Sequence, residues 1–328
     1  MQNLILRATS LTDEYMASLG RSETLTSLDI FACHVTDVGI ASLSLAPNLN
    51  SLNLAYTSAT DAGISALKSC PRLTSLDLVH TQITDESVLE ISRGLKLAKL
   101  NLANTRITDV ALIALALNPH LTSLNIYKTD VTDTGIMEIA KLPRISELYC
   151  TYTKITDASC TALAASLSLT LLDVRGTQLT DVGIATLACS PCLASLDISD
   201  TEVTDDGMIP LASSLSLTSL DISQTNVTDT GIIALARNPH IAALYAKNTQ
   251  VTHVGVFALC ASTSLTSLDV RCTSLTRTHD TQSKLALVNI ARVTRENMFD
   301  SIYRTLVDAR ELRFIPVVLL KLITEYAV

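Results

Sequence analysis

A 24-residue period runs through this chain without a slip. Coils open at Met1, Leu25, Leu49, Leu73, Leu97, Leu121, Ile145, Leu169, Leu193, Leu217, Ile241 and Leu265, and the coil Leu217–His240 reads LTSLDISQTNVTDTGIIALARNPH. Self-similarity of this length defines a stack of like units, none of which can bury its apolar face alone, so stability arises from contact with neighbours. The 328 residues exceed what one closed core usually supports, and the period implies a core that grows by repetition.

Each part of the coil has a physical reading. The opening L-x-x-L-x-L alternates as a half-buried strand does, turning Leu220 and Ile222 inward and Ser219, Asp221 and Ser223 outward. Thr stands at the ninth position of eleven coils, with Cys33 the exception. Its hydroxyl is expected to bond the turn and the neighbouring coil. The twelfth position is Thr in all twelve coils and the thirteenth is Asp in ten. This pair reads as a helix start, with Thr capping free amides and Asp complementing the positive end of the helix dipole. Gly at position fifteen, as in Gly39, Gly63 and Gly231, is expected to let helices approach closely. Pro at position twenty-three of six coils (Pro47, Pro71, Pro119, Pro143, Pro191, Pro239) stops each helix.

The motif L-x-x-L-x-L-x-x-T-x-V-T-D-x-G-I-x-x-L-A resembles the leucine-rich-repeat family, and the 24-residue length with T-D-x-G is similar to the GALA-type repeats of bacterial effectors and the related F-box cysteine-containing repeats. The resemblance implies an α/β leucine-rich-repeat solenoid over residues 1–276, the last coil degenerate to about 288. It further implies a horseshoe with parallel strands on the concave face and short helices on the convex face. Its implied function is a protein-interaction scaffold, and its implied setting a bacterial effector acting in a host cell.

Charge narrows the partners. Residues 1–276 hold sixteen basic and twenty-six acidic residues, a net −10. Such a surface repels phosphate backbones, which argues against nucleic acid. Apolar residues reach 48% with mean hydropathy +0.35, yet no run approaches the roughly 20 residues of a membrane span. The start MQNLILRATSLTDEY has no secretory-signal pattern. The expected setting is the cytoplasm, or a host cell reached by a non-classical route. Eight scattered cysteines read as free thiols, Cys150 and Cys160 facing the core, and the single C-x-x-C, Cys189–Cys192, lacks a second ligand pair for zinc.

Six of the twelve aromatics occupy the outward positions three, five, seven and eight, about three times a random share. They are Phe31, Tyr56, Tyr127, Tyr149, Tyr152 and Tyr245. Tyr127, Tyr149 and Tyr152, in adjacent coils with Lys128, Glu147 and Lys154 beside them, are expected to form one cluster. Tyr245, Lys247, Asn248 and Arg271 form a second candidate, with Arg175 between the two. The competing reading is that tyrosine merely suits a strand surface. The fifth-position row of Asp and Asn is too regular for a binding determinant and reads as structural or solvating. No G-x-S-x-G, phosphate-cradling glycine loop, H-E-x-x-H or histidine cluster is present. No catalytic residue, cofactor or metal is expected.

The period fails after Thr276, where Arg277 replaces Asp. Residues 277–328 read as amphipathic helices that cap the last coil. Alternatively, Ile315-Pro316 followed by Val-Val-Leu-Leu-Lys-Leu-Ile resembles the opening of F-box helices, which implies a cullin-type ubiquitin-ligase adaptor. The first coil begins at Met1 with an open strand edge, and a dimer through that coil is one way to cover it.

Overall fold

The computed structural model describes residues 3–259 and 262–273, which fall into two compact units divided after Asp173. The predicted boundary at 276, the helical cap at 277–328 and the F-box-like segment lie outside the described residues. In the first unit, three-residue strands β1 (Asn3–Ile5), β2 (Ser27–Asp29), β3 (Ser51–Asn53), β4 (Ser75–Asp77), β5 (Lys99–Asn101), β6 (Ser123–Asn125), β7 (Glu147–Tyr149) and β8 (Leu171–Asp173) pair in chain order. In the second, β9 (Ser195–Asp197), β10 (Ser219–Asp221), β11 (Ala243–Tyr245) and β12 (Ser267–Asp269) do the same. The pairing is parallel and each residue faces its counterpart 24 places on, as Leu124 faces Leu148 and Leu220 faces Leu244.

Each strand from β1 to β11 feeds a short helix. These are α1 (Asp13–Gly20), α2 (Asp37–Ser42), α3 (Asp61–Ala66), α4 (Asp85–Gly94), α5 (Asp109–Leu115), α6 (Asp133–Ile139) and α7 (Cys160–Ala165) in the first unit. The second unit holds α8 (Asp181–Leu187), α9 (Asp205–Leu211), α10 (Asp229–Leu235) and α11 (His253–Leu259). The core lies between strands and helices. In the Leu217 coil it takes Leu220, Ile222, Val227, Ile232 and Leu235, none more than 2% exposed. Cys150 and Cys160 are fully buried among these apolar groups. Burial pushes the Cys160 thiol up to about 12 and that of Cys70 to about 11. The seven described cysteines form no disulfide.

Two expectations about the coil are corrected. The ninth-position Thr bonds its own turn as expected, but apart from Thr9, whose hydroxyl lies 3.5 Å from Cys33 Sγ, it is not what carries the link to the next coil. Its hydroxyl turns back to the carbonyl three residues earlier, as Thr57 does to Leu54 at 2.7 Å and Thr225 to Ile222 at 2.6 Å. The thirteenth-position Asp, in turn, does more than sit at its own helix start. Its carboxylate reaches forward to the next coil, accepting the amide of that coil's Thr12-equivalent at 2.8–2.9 Å and its hydroxyl at 2.5–2.7 Å. Rungs run from Asp13–Thr36 through Asp133–Thr156 in the first unit, and from Asp181–Thr204 to Asp229–Thr252 in the second. The same Thr oxygen accepts the amide two residues on, as Thr108 does from Val110 at 3.3 Å, so one hydroxyl donates across coils and caps its own helix.

The position-fifteen glycine lets its helix lie close against the preceding one, as expected, and the first group it makes room for is this carboxylate. A Cβ at Gly207 would stand 2.6 Å from Asp181 Oδ1, and one at Gly231 the same distance from Asp205 Oδ1. Where the chain has a side chain here, the oxygen stands back. The amides of Gly207, Gly231 and Gly255 reach it at 2.9–3.0 Å, those of Ser87 and Ala111 at 3.2–3.3 Å. Burial raises the Asp61 pKa, yet the side chain and amide of Thr84, and then those of Ser87, outweigh it and hold the group below its ordinary value.

Candidate partner-binding face

The outward residues of the strand side are placed by a turn that the sequence did not announce. After position five the backbone amide of position six bonds the next coil, and so does that of position eight, as Tyr56 N–H does to Val79 O at 2.8 Å and Lys128 N–H to Thr151 O at 3.0 Å. To keep both bonds, the eighth residue of all twelve coils adopts the left-handed conformation, φ 51–63° from Ala8 to Cys272. The turn is closed from inside by the fifth-position side chain. Asn125 Oδ1 accepts the Tyr127 amide at 2.9 Å, Asp221 the Ser223 amide at 2.8 Å, and Asn53 the Ala55 amide at 2.9 Å. The regular Asp/Asn row is therefore a set of Asx turns, in line with its expected structural role.

This geometry weighs on the competing reading of the tyrosines. The left-handed region costs an L-residue about 1 kcal/mol or more, and Ala, Asn, Asp, Gln, Cys or Gly fills it in eight coils. The four exceptions are Tyr56, His80, Lys128 and Tyr152, two adjacent pairs. Strand propensity does not account for Tyr56 or Tyr152, because neither is in strand conformation. Tyr149 and Tyr245 do lie in β7 and β11, but each occupies the fifth position and so forfeits the Asx acceptor. In the Tyr245 coil Ser223 Oγ of the preceding coil accepts the Lys247 amide instead, at 3.1 Å.

The structure brings the predicted residues into three groups. Tyr127 and Tyr152 meet edge to face, centroids 5.9 Å apart, with Lys128 Nζ 5.2 Å from one ring centre and 5.8 Å from the other. The Lys128 pKa is raised, chiefly by its hydrogen bond to the Tyr127 oxygen. Lys154 pairs with Asp130 at 2.6 Å one turn further out. Tyr149, expected in the same knot, stands instead on the strand, in register with Asn125 and Asp173. Burial, then Glu147 and Asp173, push its hydroxyl pKa up. The difference is physical, since position five projects from the pleat while positions seven and eight lie in the turn beyond it.

The second group, absent from the sequence reading as a group, is a ring string. Phe31 and Tyr56 lie 5.1 Å apart, and Tyr56 and His80 4.7 Å apart. Its signal was the placement of large rings at seventh and eighth positions of successive coils. In the third group Arg271 forks onto Asp269, Nη2 at 2.7 Å, and Lys247 reaches the same carboxylate at 3.2 Å, while Tyr245 pairs in register with Asp221 and Asp269. Arg175 reaches Gln224 at 3.4 Å.

Asp221 carries a further consequence. Burial raises its pKa, its bonds to Ser223 offset this only in part, and Asp197 adds repulsion. A raised carboxyl pKa means that ionisation costs the fold. The cost is absent below the unfolded-state value, grows as pH rises toward the folded-state value, and is complete above it. Asp221→Asn, which keeps the acceptor as Asn53, Asn101 and Asn125 do, raises the melting temperature at neutral pH. The gain fades as pH falls through the carboxylate range in thermal melts. A gain unchanged in acid would contradict this account.

On the helical side, a groove of about 740 Å³ opens between α6 and α7. Its lining includes Met137, Leu142, Ala162 and Leu167, and its one charged lining group is Lys141, which pairs with Glu138 at 2.6 Å. Among the described residues no His, Cys, Asp and Glu side chains gather as a metal site would require, and no helix is long and apolar enough to cross a membrane.

Six segments of the chain, residues 21–44, 69–92, 117–140, 165–188, 189–212 and 213–236, match the Leucine Rich repeat family model. No curated protein matches the chain by sequence. An internalin (InlF) from Listeria monocytogenes is similar in structure, with TM-score 0.60 and 23% identity over 83% of this chain and 81% of that one. The functional domain of InlJ from the same organism, which includes a cysteine ladder, gives TM-score 0.53 and 18% identity over 83% of this chain and 63% of its own. Repeated sequence and observed fold agree, and the chain folds as a leucine-rich-repeat solenoid of strand–turn–helix coils.

Proposed function

We propose that this chain is a non-catalytic scaffold whose strand-lined face holds a protein partner at Tyr127, Lys128 and Tyr152, with Tyr149 beside them. The observation that carries the reading is the tyrosine–lysine–tyrosine knot, in which two of three residues occupy a backbone conformation that disfavours them. Tyrosines holding a cation against their faces offer the large, rigid contact area that dominates interface energetics. Likeness to bacterial internalins of low identity, together with the effector-like repeat, supports a partner in a eukaryotic host cell. Phe31 and Tyr56 are further candidate contacts on the strand side of the first unit, and Arg175, Tyr245, Lys247 and Arg271 are those of the second.

The test is affinity capture from eukaryotic cell lysate with the intact chain beside a chain carrying Tyr127→Ala and Tyr152→Ala, both confirmed as folded by circular dichroism. Loss of at least one hot-spot residue costs about 2 kcal/mol, or roughly thirtyfold in affinity, so the partner is expected with the intact chain only. A partner retained equally by both would sink the reading and move attention to the groove between α6 and α7.

A further inference from the structure

Asp77 in β4 and Asp269 in β12 occupy the same place in their coils but differ in company. Each accepts the amide two residues on, Val79 and Arg271 respectively, at 3.1 Å. Asp269 also receives the forked guanidinium of Arg271 and the ammonium of Lys247. Asp29 in β2 receives Arg7, Nε at 2.7 Å. Asp77 receives the Asn101 amide at 3.3 Å and, among the described residues, pairs with no cation. Where coil twelve supplies its own arginine at position seven, coil four has Val79.

The carboxyl groups respond accordingly. Burial raises the Asp77 pKa, the bonds from Val79 and Asn101 fall short of offsetting it, and Asp29 adds repulsion. Burial acts on Asp269 too, but Arg271 and Lys247 overcome it and the group is lowered. The ring string Phe31–Tyr56–His80 occupies the turns that follow the strands, with His80 three places after Asp77 in the same coil. Tyr56 is 49% exposed, so it presents a ring to solvent despite its left-handed backbone.

We propose that Asp77 and the Phe31–Tyr56–His80 string form a receptor for an arginine side chain presented by a protein partner. A guanidinium fits both halves, since its planar fork matches a carboxylate and its face stacks on rings, whereas an ammonium offers only a point charge. Arg271 on Asp269 is the template within the same molecule, and the net −10 of the repeats draws a basic partner. This site is separate from the tyrosine–lysine knot and stands whether or not that knot binds.

The probe is a fluorescently labelled polyarginine peptide, titrated against the full chain at physiological salt and followed by anisotropy. Tyr56→Leu and Asp77→Asn are each expected to weaken binding about fivefold or more, the size of one cation–ring or charge-assisted contact. Tyr15→Leu, at an exposed tyrosine of α1, and Asp221→Asn, which remove the same groups elsewhere, are expected to change it less than twofold. Asn stands natively at this position in three coils, so Asp77→Asn keeps the turn; His80→Ala gives a second ring variant, expected to weaken binding in the same direction. Equal weakening by all the variants would mean diffuse charge attraction and overturn the proposal, as would an absence of binding, or binding that Tyr56→Leu and Asp77→Asn leave intact. A polylysine peptide bound as tightly as polyarginine would also overturn it.

Discussion

In a chain that lacks the Asp181 carboxylate, Gly207→Ala raises the melting temperature, while in the intact chain the same substitution lowers it. Asp181 accepts the Thr204 amide at 2.8 Å, the Thr204 hydroxyl at 2.7 Å and the Gly207 amide at 3.0 Å. Asp181→Ala strips these acceptors from the start of α9 and costs about 2–3 kcal/mol, the worth of a charge-assisted cap at a partly buried site. Alanine is favoured over glycine inside a helix by about 1 kcal/mol. At Gly207 its Cβ would stand 2.6 Å from Asp181 Oδ1, which three hydrogen bonds hold in place, and 3.0 Å from Val203 Cγ1. The clash outweighs propensity only while the carboxylate is there. Thermal and urea melts of both single variants, the double variant and the parent form a double-mutant cycle that reads this coupling directly. Additive losses would mean that the Asp181 carboxylate is not the group the glycine makes room for.

A larger loss is expected from Gly20→Ala. Gly20 is the buried last residue of α1, and a Cβ there would overlap the backbone carbonyl oxygen of Ser42 and come within 2.8 Å of its carbon. Backbone of the next coil cannot step aside as a side chain can, so the cost is about 3 kcal/mol or more, at the upper end for overpacking. Stacked coils fail locally. Hydrogen exchange of the α1 amides should therefore approach that of open chain, while amides from β4 onward keep their protection. Gly94→Ala is the milder comparison, because its Cβ would come no nearer than 2.9 Å to Lys68 Cβ and 3.0 Å to the Lys68 carbonyl oxygen, short of the overlap at Ser42. If the two variants melted alike, contact with the Ser42 backbone would not be the cause.

The fold was legible because every coil repeats the same apolar spacing, and Leu220 and Ile222 are buried as alternation predicts. The direction of the Asp carboxylate was not legible. A Thr-Asp pair at a helix start looks the same whether the Asp serves its own helix or the next, since the distinction lies in a bond spanning 23 residues. The left-handed eighth position was written only faintly, in Gly176, Asn104 and Asn248, and was masked by Tyr56 and Tyr152 at the same place. For the candidate face, outward aromatics were found from spacing alone. Their grouping was legible in part: position seven of one coil meets position eight of the next, so Tyr127 finds Tyr152 as expected while Tyr149 stays in the strand, and Tyr56 bridges Phe31 at position seven and His80 at position eight.

The Thr–Asp ladder gives each coil two unlike ends, a carboxylate offered forward and a threonine offered back, in the manner of a monomer with a head and a tail. Such a unit joins its neighbours in one orientation only, and an insertion or deletion of a whole number of 24-residue coils leaves every junction intact where any other length breaks one. Growth of the array by duplication is thus written into its hydrogen bonds. His253 behaves as a chain terminator in this sense. Its coil takes the rung from Asp229 through Thr252, at 2.8 and 2.5 Å, but carries no carboxylate at the position that would pass the next rung on.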